Sequence, residues 1–235
     1  MWRKRSKVIA VLLAAALMVG GVVGGTMAWL SVKTEPVVNT FTYGDINITL
    51  DETKRDEAGN TTDADNDENP DKTTTGNEYK MVPGNVIEKD PTVTVLKGSE
   101  VCWLFVKVEE NCKTTEGSDY QFDDYMTYEV NTKIWTQLKD ADRNDVEGVY
   151  YMEAESDKDA DQRYSVIGYT DKSEKYQENK VKVNENVTKE MLYALTEYPT
   201  LTITAYAVQK DHIDSAFAAW EVVNPSAQDG GSAEP

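Results

Sequence analysis

The feature that most constrains the fold is a series of short runs of β-branched and aromatic residues, separated by polar turns rich in Gly and Asp. In the run at residues 201–208, Leu201, Ile203 and Ala205 occupy alternate positions, which is the period of a β-strand. Other candidate strands span residues 39–50, 92–96, 101–109, 126–130, 133–138, 149–153, 164–169 and 180–183. About nine strands with frequent turns predict an all-β fold, an antiparallel β-sandwich.

Two short helices interrupt the predicted strands. Thr188 is a candidate N-cap for a helix over residues 189–195, and Asp214 for one over residues 215–222. We expect both helices to cover the ends of the sandwich, as parts of one domain that spans residues 29–223.

The N-terminus predicts export. Four basic residues between positions 3 and 7 precede an uncharged, apolar run from residue 8 to 31, with small residues at Thr26 and Ala28. This order is typical of a secretory signal peptide, here residues 1–28, cleaved between Ala28 and Trp29. An uncleaved anchor is the alternative, because the run is long enough to cross a hydrocarbon core of about 30 Å. The glycines at 20, 21, 24 and 25 favour cleavage, since they weaken a permanent helix.

The charge balance argues against several functions. The chain has 42 Asp and Glu against 24 Lys and Arg, a formal charge of −18, and one histidine. Without the four basic residues of the signal peptide, the mature chain carries about −22. Such a surface repels nucleic acid. A single imidazole, His212, cannot supply a two-histidine zinc site, and a solvated loop histidine is favoured over a triad with Asp211 and Asp214. We therefore predict no catalytic site and no cofactor.

Two segments of the predicted domain are rich in acidic residues. Residues 53–77 hold many Asp and Glu and no apolar side chain larger than alanine, so we expect a loosely ordered insertion. Residues 224–235 predict a disordered tail. The aspartates at 63, 65 and 67, and those at 157, 159 and 161, match the first ligand positions of an EF-hand loop but lack its glycine and final glutamate. Weak calcium binding is the most that this pattern predicts.

The two cysteines are expected to stay unpaired. Cys102 begins the run at residues 101–109 and Cys112 follows it. Ten residues of extended chain span about 33 Å, which is beyond the reach of a disulfide. Free thiols in an exported protein fit a poorly oxidising habitat or a link between chains, but the favoured interpretation is a buried structural Cys102 and an incidental Cys112.

The N-terminal residues also resemble a known family. Residues 26–31, Thr-Met-Ala-Trp-Leu-Ser, and the stretch 39–50 are similar to the N-terminal signature of the TasA/camelysin family. The turn Met-Val-Pro-Gly at 81–84, with Lys-Asp at 89–90, looks like the family's turn before a strand. The resemblance implies a jelly-roll sandwich, a SipW-type signal peptidase, and secretion to the matrix or surface of a Gram-positive bacterium.

The resemblance further implies assembly into biofilm-matrix fibres, in which a freed N-terminal segment adds as a strand to the next subunit. The matching segment here is residues 29–40. Its candidate anchors are Trp29, Leu30, Val32, Val37 and Val38. Pro36 departs from this pattern, because it donates no backbone hydrogen bond.

We therefore expect a secreted structural protein that associates with itself, and with other matrix or cell-wall components, by strand addition. It would meet the membrane only through its signal peptide. Two alternatives stay open: a camelysin-like surface metalloendopeptidase, and a monomeric surface protein whose N-terminal segment is a flexible leader.

Overall fold

The computed structural model describes residues 31–33, 46–56, 59–155 and 157–224. Its strands are β1 (Ser31–Lys33), β2 (Ile48–Thr53), β3 (Lys72–Thr73), β4 (Val86–Glu88), β5 (Thr92–Val95), β6 (Cys102–Thr114), β7 (Met126–Thr127), β8 (Glu129–Val130), β9 (Thr136–Lys139), β10 (Asp145–Ala154), β11 (Gln162–Ser165), β12 (Ile167–Thr170), β13 (Tyr176–Glu178), β14 (Lys180–Val183) and β15 (Leu195–Gln209). Its helices are α1 (Phe122–Tyr125), α2 (Lys189–Ala194) and α3 (Ala216–Val223).

The strands form four antiparallel sheets. The largest has the order β1-β15-β6-β10-β9, and the next has the order β11-β5-β2-β3. Two three-stranded sheets, β13-β12-β8 and β4-β14-β7, complete the β structure. The predicted all-β, antiparallel sandwich with short helices is therefore confirmed.

The five-stranded sheet is buried on both faces. On β6, Leu104 and Val106 belong to a core cluster shared with all three smaller sheets, whereas Phe105 between them belongs to a second cluster with Trp220 of α3. The same alternation holds on β15, where Ala207 joins the first cluster and Val208 the second. Because successive side chains point to opposite faces, the sheet separates the main core from the core beneath α3.

The structure corrects the expected role and cap of the last helix. Helix α3 packs on a face of the five-stranded sheet rather than at an end of the sandwich, because its buried residues contact Phe105 and Tyr206. Its N-cap is Ser215, whose hydroxyl accepts a hydrogen bond from the backbone N–H of Ala218 at 3.2 Å, and not Asp214. The cap of α2 is the expected one: Thr188 accepts from the N–H of Met191 at 3.3 Å.

Several strand boundaries differ from those expected. The run at 126–130 forms two strands in different sheets, because β7 pairs with β14 and β8 with β12. The run at 164–169 likewise divides, at Val166, into β11 and β12. Strands β6 and β15 extend beyond their apolar runs and pair with each other from Cys102 to Thr114. The polar residues at the ends of β6 and β15 are therefore extended because the two strands pair with each other, and not because of their own β-propensity.

The acidic segment at 53–77 contains regular pairing in its described part. Strand β3 pairs with the end of β2, and the N–H of Lys54 donates to the carbonyl of Asp71 at 2.7 Å. Arg55 and Thr61 form an isolated bridge. The segment is therefore attached at its base to the four-stranded sheet.

Both cysteines are free, as expected from their separation along one strand. Cys102 is fully buried, and this burial raises the pKa of its thiol to about 12. Burial also raises the pKa of the Cys112 thiol, with a contribution from the negative charge of Asp124. A raised pKa lowers the thiolate fraction, so both thiols are less reactive than an exposed cysteine.

Candidate assembly edge

One edge of the five-stranded sheet is formed by the N-terminal strand. Strand β1 contains three residues and pairs antiparallel with β15, with Ser31 opposite Val208, Val32 opposite Ala207 and Lys33 opposite Tyr206. Strand β15 is much longer, at fifteen residues. The N-terminal strand therefore covers only one end of its partner. Among the residues that the structure describes, no other strand pairs with residues 195–204 on that side.

The covered end of β15 is apolar and buried. Ala207 and Val208 are each 0% exposed, and Tyr206 is 7% exposed. These residues contribute to the cores on both sides of the sheet, so the edge next to them lies between the sandwich core and α3. A strand at this position completes the backbone pairing of a buried segment, and the loss of that pairing in an apolar setting is costly.

The structure places one of the predicted anchors in this strand. Val32 is the middle residue of β1, opposite Ala207. The anchors Trp29, Leu30, Val37 and Val38 lie outside the described residues. The same is true of the signal peptide with Ala28, and of the tail beyond Asn224.

The one histidine of the sequence, His212, lies in a surface turn. His212 is exposed and has a left-handed backbone conformation, with φ of 65°. Asp211 accepts from Gln209 at 3.5 Å, and Asp214 is exposed before the cap of α3. These positions fit a solvated loop beside a helix start, as the sequence favours.

The two aspartate patterns differ in their geometry. Asp63, Asp65 and Asp67 bring carboxylate oxygens within 4.8 Å of one another, and all three groups accept backbone N–H donors from their own loop. In the second pattern, Asp161 accepts from the N–H of Lys97, and Asp157 from its own turn. The hydrogen bonds from the backbone N–H groups of Asp159 and Ala160 lower the pKa of the Asp157 carboxyl. Weak calcium binding by the loops stays a prediction.

A buried charged cluster was not predicted from the sequence. Glu52 of β2 is 5% exposed, and its carboxylate contacts Lys89 and Asn77, each at 3.0 Å. The three residues come from separate segments and form no motif. The one sequence feature that indicates this cluster is the place of Glu52 directly after the apolar residues of a predicted strand. A buried charge there without a partner would be costly in free energy, so a partner is expected.

No described helix is long and apolar enough to cross a membrane. No protein-family model, curated protein or solved structure matches this chain, and the similarity to the TasA/camelysin family stays a prediction that depends on the residues quoted for it.

Proposed function

We propose that this protein is a secreted structural protein of the extracellular matrix or cell surface, without enzymatic activity, that assembles by adding its N-terminal strand to a neighbouring copy. The observation that supports the proposal is the pairing of β1. This three-residue strand lies at the edge of the sheet and pairs with only part of the fifteen-residue strand β15. The same register would accept the N-terminal strand of a second copy.

The exchange is favourable on simple physical grounds. The strand is held by three residue pairs, so few backbone hydrogen bonds break when it leaves its own subunit, and the buried end of β15 then needs a replacement strand. The same bonds form again when the segment pairs with β15 of another copy, and this equivalence makes strand exchange an inexpensive route to assembly. Backbone hydrogen bonds give the affinity, and the pairing of the apolar residue Val32 with Ala207 sets the register.

Signal-peptide cleavage supplies a switch for this assembly. Before cleavage, residues 29–40 are joined to an apolar run that stays in the membrane. After cleavage between Ala28 and Trp29, the segment is free to pair with β15 of a neighbour. The acidic charge opposes close approach of copies, and screening at about 0.15 M salt, with a Debye length of about 8 Å, reduces this repulsion.

Negative-stain electron microscopy tests the proposal. We expect the chain beginning at Trp29 to form filaments in 0.15 M salt, and a chain lacking residues 29–40 to stay monodisperse. Deletion of residues 225–235, a segment of similar length at the other terminus, is the matched control and should leave the filaments intact. Monodisperse particles with the intact N-terminus, across pH and calcium, would favour a monomeric surface protein. Casein cleavage abolished by a chelator would instead support the metalloendopeptidase alternative.

A further inference from the structure

A lysine, a glutamate and an asparagine meet at the end of β2. The Nζ atom of Lys89 lies 3.0 Å from Oε2 of Glu52, and Nδ2 of Asn77 donates to Oε1 of the same carboxylate at 3.0 Å. Glu52 is 5% exposed, and the side chain of Lys89 is 15% exposed. One buried carboxylate therefore holds a primary amine and a carboxamide next to each other.

The carboxamide of Asn77 is held in a defined orientation. Its Oδ1 accepts a hydrogen bond from the backbone N–H of Arg55 at 2.7 Å, and Nδ2 also donates to the carbonyl of Thr53 at 2.9 Å. A fixed N–H donor at a carbonyl oxygen stabilises the negative charge that develops there when a nucleophile attacks the carbon. The amide is thus both oriented and polarised.

The pair formed by Lys89 and Glu52 is largely shielded from water. Burial raises the pKa of the neighbouring Tyr79 hydroxyl, and the negative charge of Glu52 raises it further. A charged pair held away from water carries a large desolvation cost. Transfer of a proton from Lys89 to Glu52 removes both charges and produces the amine that can act as a nucleophile.

We propose that Lys89 and Asn77 become joined by an isopeptide bond, with Glu52 as the proton carrier. The Nζ lone pair forms a bond to Cγ of Asn77, and the carbonyl electrons move to Oδ1 beside the Arg55 N–H. Glu52 delivers the first Nζ proton to Nδ2, the Cγ–Nδ2 bond breaks, and ammonia leaves. A second Nζ proton converts the ammonia to ammonium, which leaves a neutral amide and regenerates the Glu52 carboxylate.

The bond would link the end of the acidic insertion to the residue that follows β4. The link would close a covalent ring over residues 77–89, which contains β4, the strand that pairs with β14. This property is separate from self-assembly, since none of the three residues lies in β1 or β15.

Peptide mass spectrometry of the purified full chain tests the proposal. A modified Lys89 resists trypsin, so we expect residues 73–80 linked to residues 81–97, with a mass lower by about 17 Da than the sum of the two peptides, which is the mass of ammonia. A succinimide at Asn77 would lose the same mass but would leave Lys89 cleavable and the peptides separate. Separate, unmodified peptides from the folded wild-type chain would overturn the proposal.

Matched variants show which groups are needed. Lys89→Arg keeps the cation beside Glu52 but removes the nucleophile, because a guanidinium stays protonated. Glu52→Gln removes the proton carrier, and Asn77→Ala removes the electrophile. We expect each to abolish the linked peptide, with circular dichroism to confirm folding. Lys72→Arg is the matched control. Lys72 is a nearby lysine whose Nζ atom donates to the hydroxyl of Thr53 at 3.1 Å, so its replacement should leave the link unchanged. A linked peptide that persists in folded Glu52→Gln would contradict the role given to Glu52.

Discussion

Replacement of Trp220 by alanine is expected to lower the free energy of unfolding by about 3–5 kcal/mol. Trp220 is 2% exposed, and it is the largest side chain of α3 in the core beneath the five-stranded sheet. Its ring centroid lies 5.1 Å from that of Tyr206 and 5.5 Å from that of Phe105. The substitution would leave a cavity between α3 and two central strands, and it would also remove both aromatic contacts.

Urea unfolding of the chain beginning at Trp29 measures this loss, and Tyr198→Ala is a matched control. Tyr198 is 78% exposed, so its removal should change the free energy of unfolding by no more than about 0.5 kcal/mol. A loss below about 1 kcal/mol for Trp220→Ala would mean that α3 does not form a core with the sheet.

A second large loss is expected for Gly148→Ala. Gly148 lies in β10 between Asp145 and Tyr150, where the register with β9 shifts, and its φ is +66°. A Cβ atom added there would meet the carbonyl oxygen of Val108 at 2.3 Å. The left-handed conformation costs about 1–2 kcal/mol for a residue with a side chain, and relief of the clash adds about 1–3 kcal/mol. We expect a total loss of about 2–5 kcal/mol.

Gly117→Ala separates the two contributions to that loss. Gly117 has a similar φ of +85°, but nothing lies within 4 Å of its added Cβ. It should therefore show the conformational cost alone, about 1–2 kcal/mol. Equal losses for the two variants in urea unfolding would show that the added Cβ atom has no steric cost beside Val108.

The strand content of this fold could be predicted because it depends on local pattern. The alternation from Leu201 to Val208 and the run after Cys102 identify the two central strands. Their full lengths could not be predicted, since residues 109–114 and 195–200 are largely polar and become strands by pairing with each other. The division of 126–130 between two sheets also depends on partners distant in sequence.

The candidate sites could likewise be predicted only where they depend on contiguous sequence. The predictions of export and of a freed N-terminal segment depend on a contiguous stretch of sequence, and Val32 of that stretch lies in β1. The partner of that strand, the end of β15 at Ala207, is about 175 residues away and carries no sequence signal of its role. Glu52, Asn77 and Lys89 are likewise brought together only by the fold.

Cross-linking between two single-cysteine chains tests strand exchange most directly. One chain carries Val32→Cys and the other Ala207→Cys, both beginning at Trp29 and both with Cys102→Ala and Cys112→Ser. The two positions are direct partners in the β1–β15 register, so a disulfide between them in the mixed sample requires β1 of one copy to pair with β15 of another. We predict disulfide-linked peptides that join positions 32 and 207 under oxidising conditions. Filaments or oligomers without this link would contradict N-terminal strand addition as the basis of assembly.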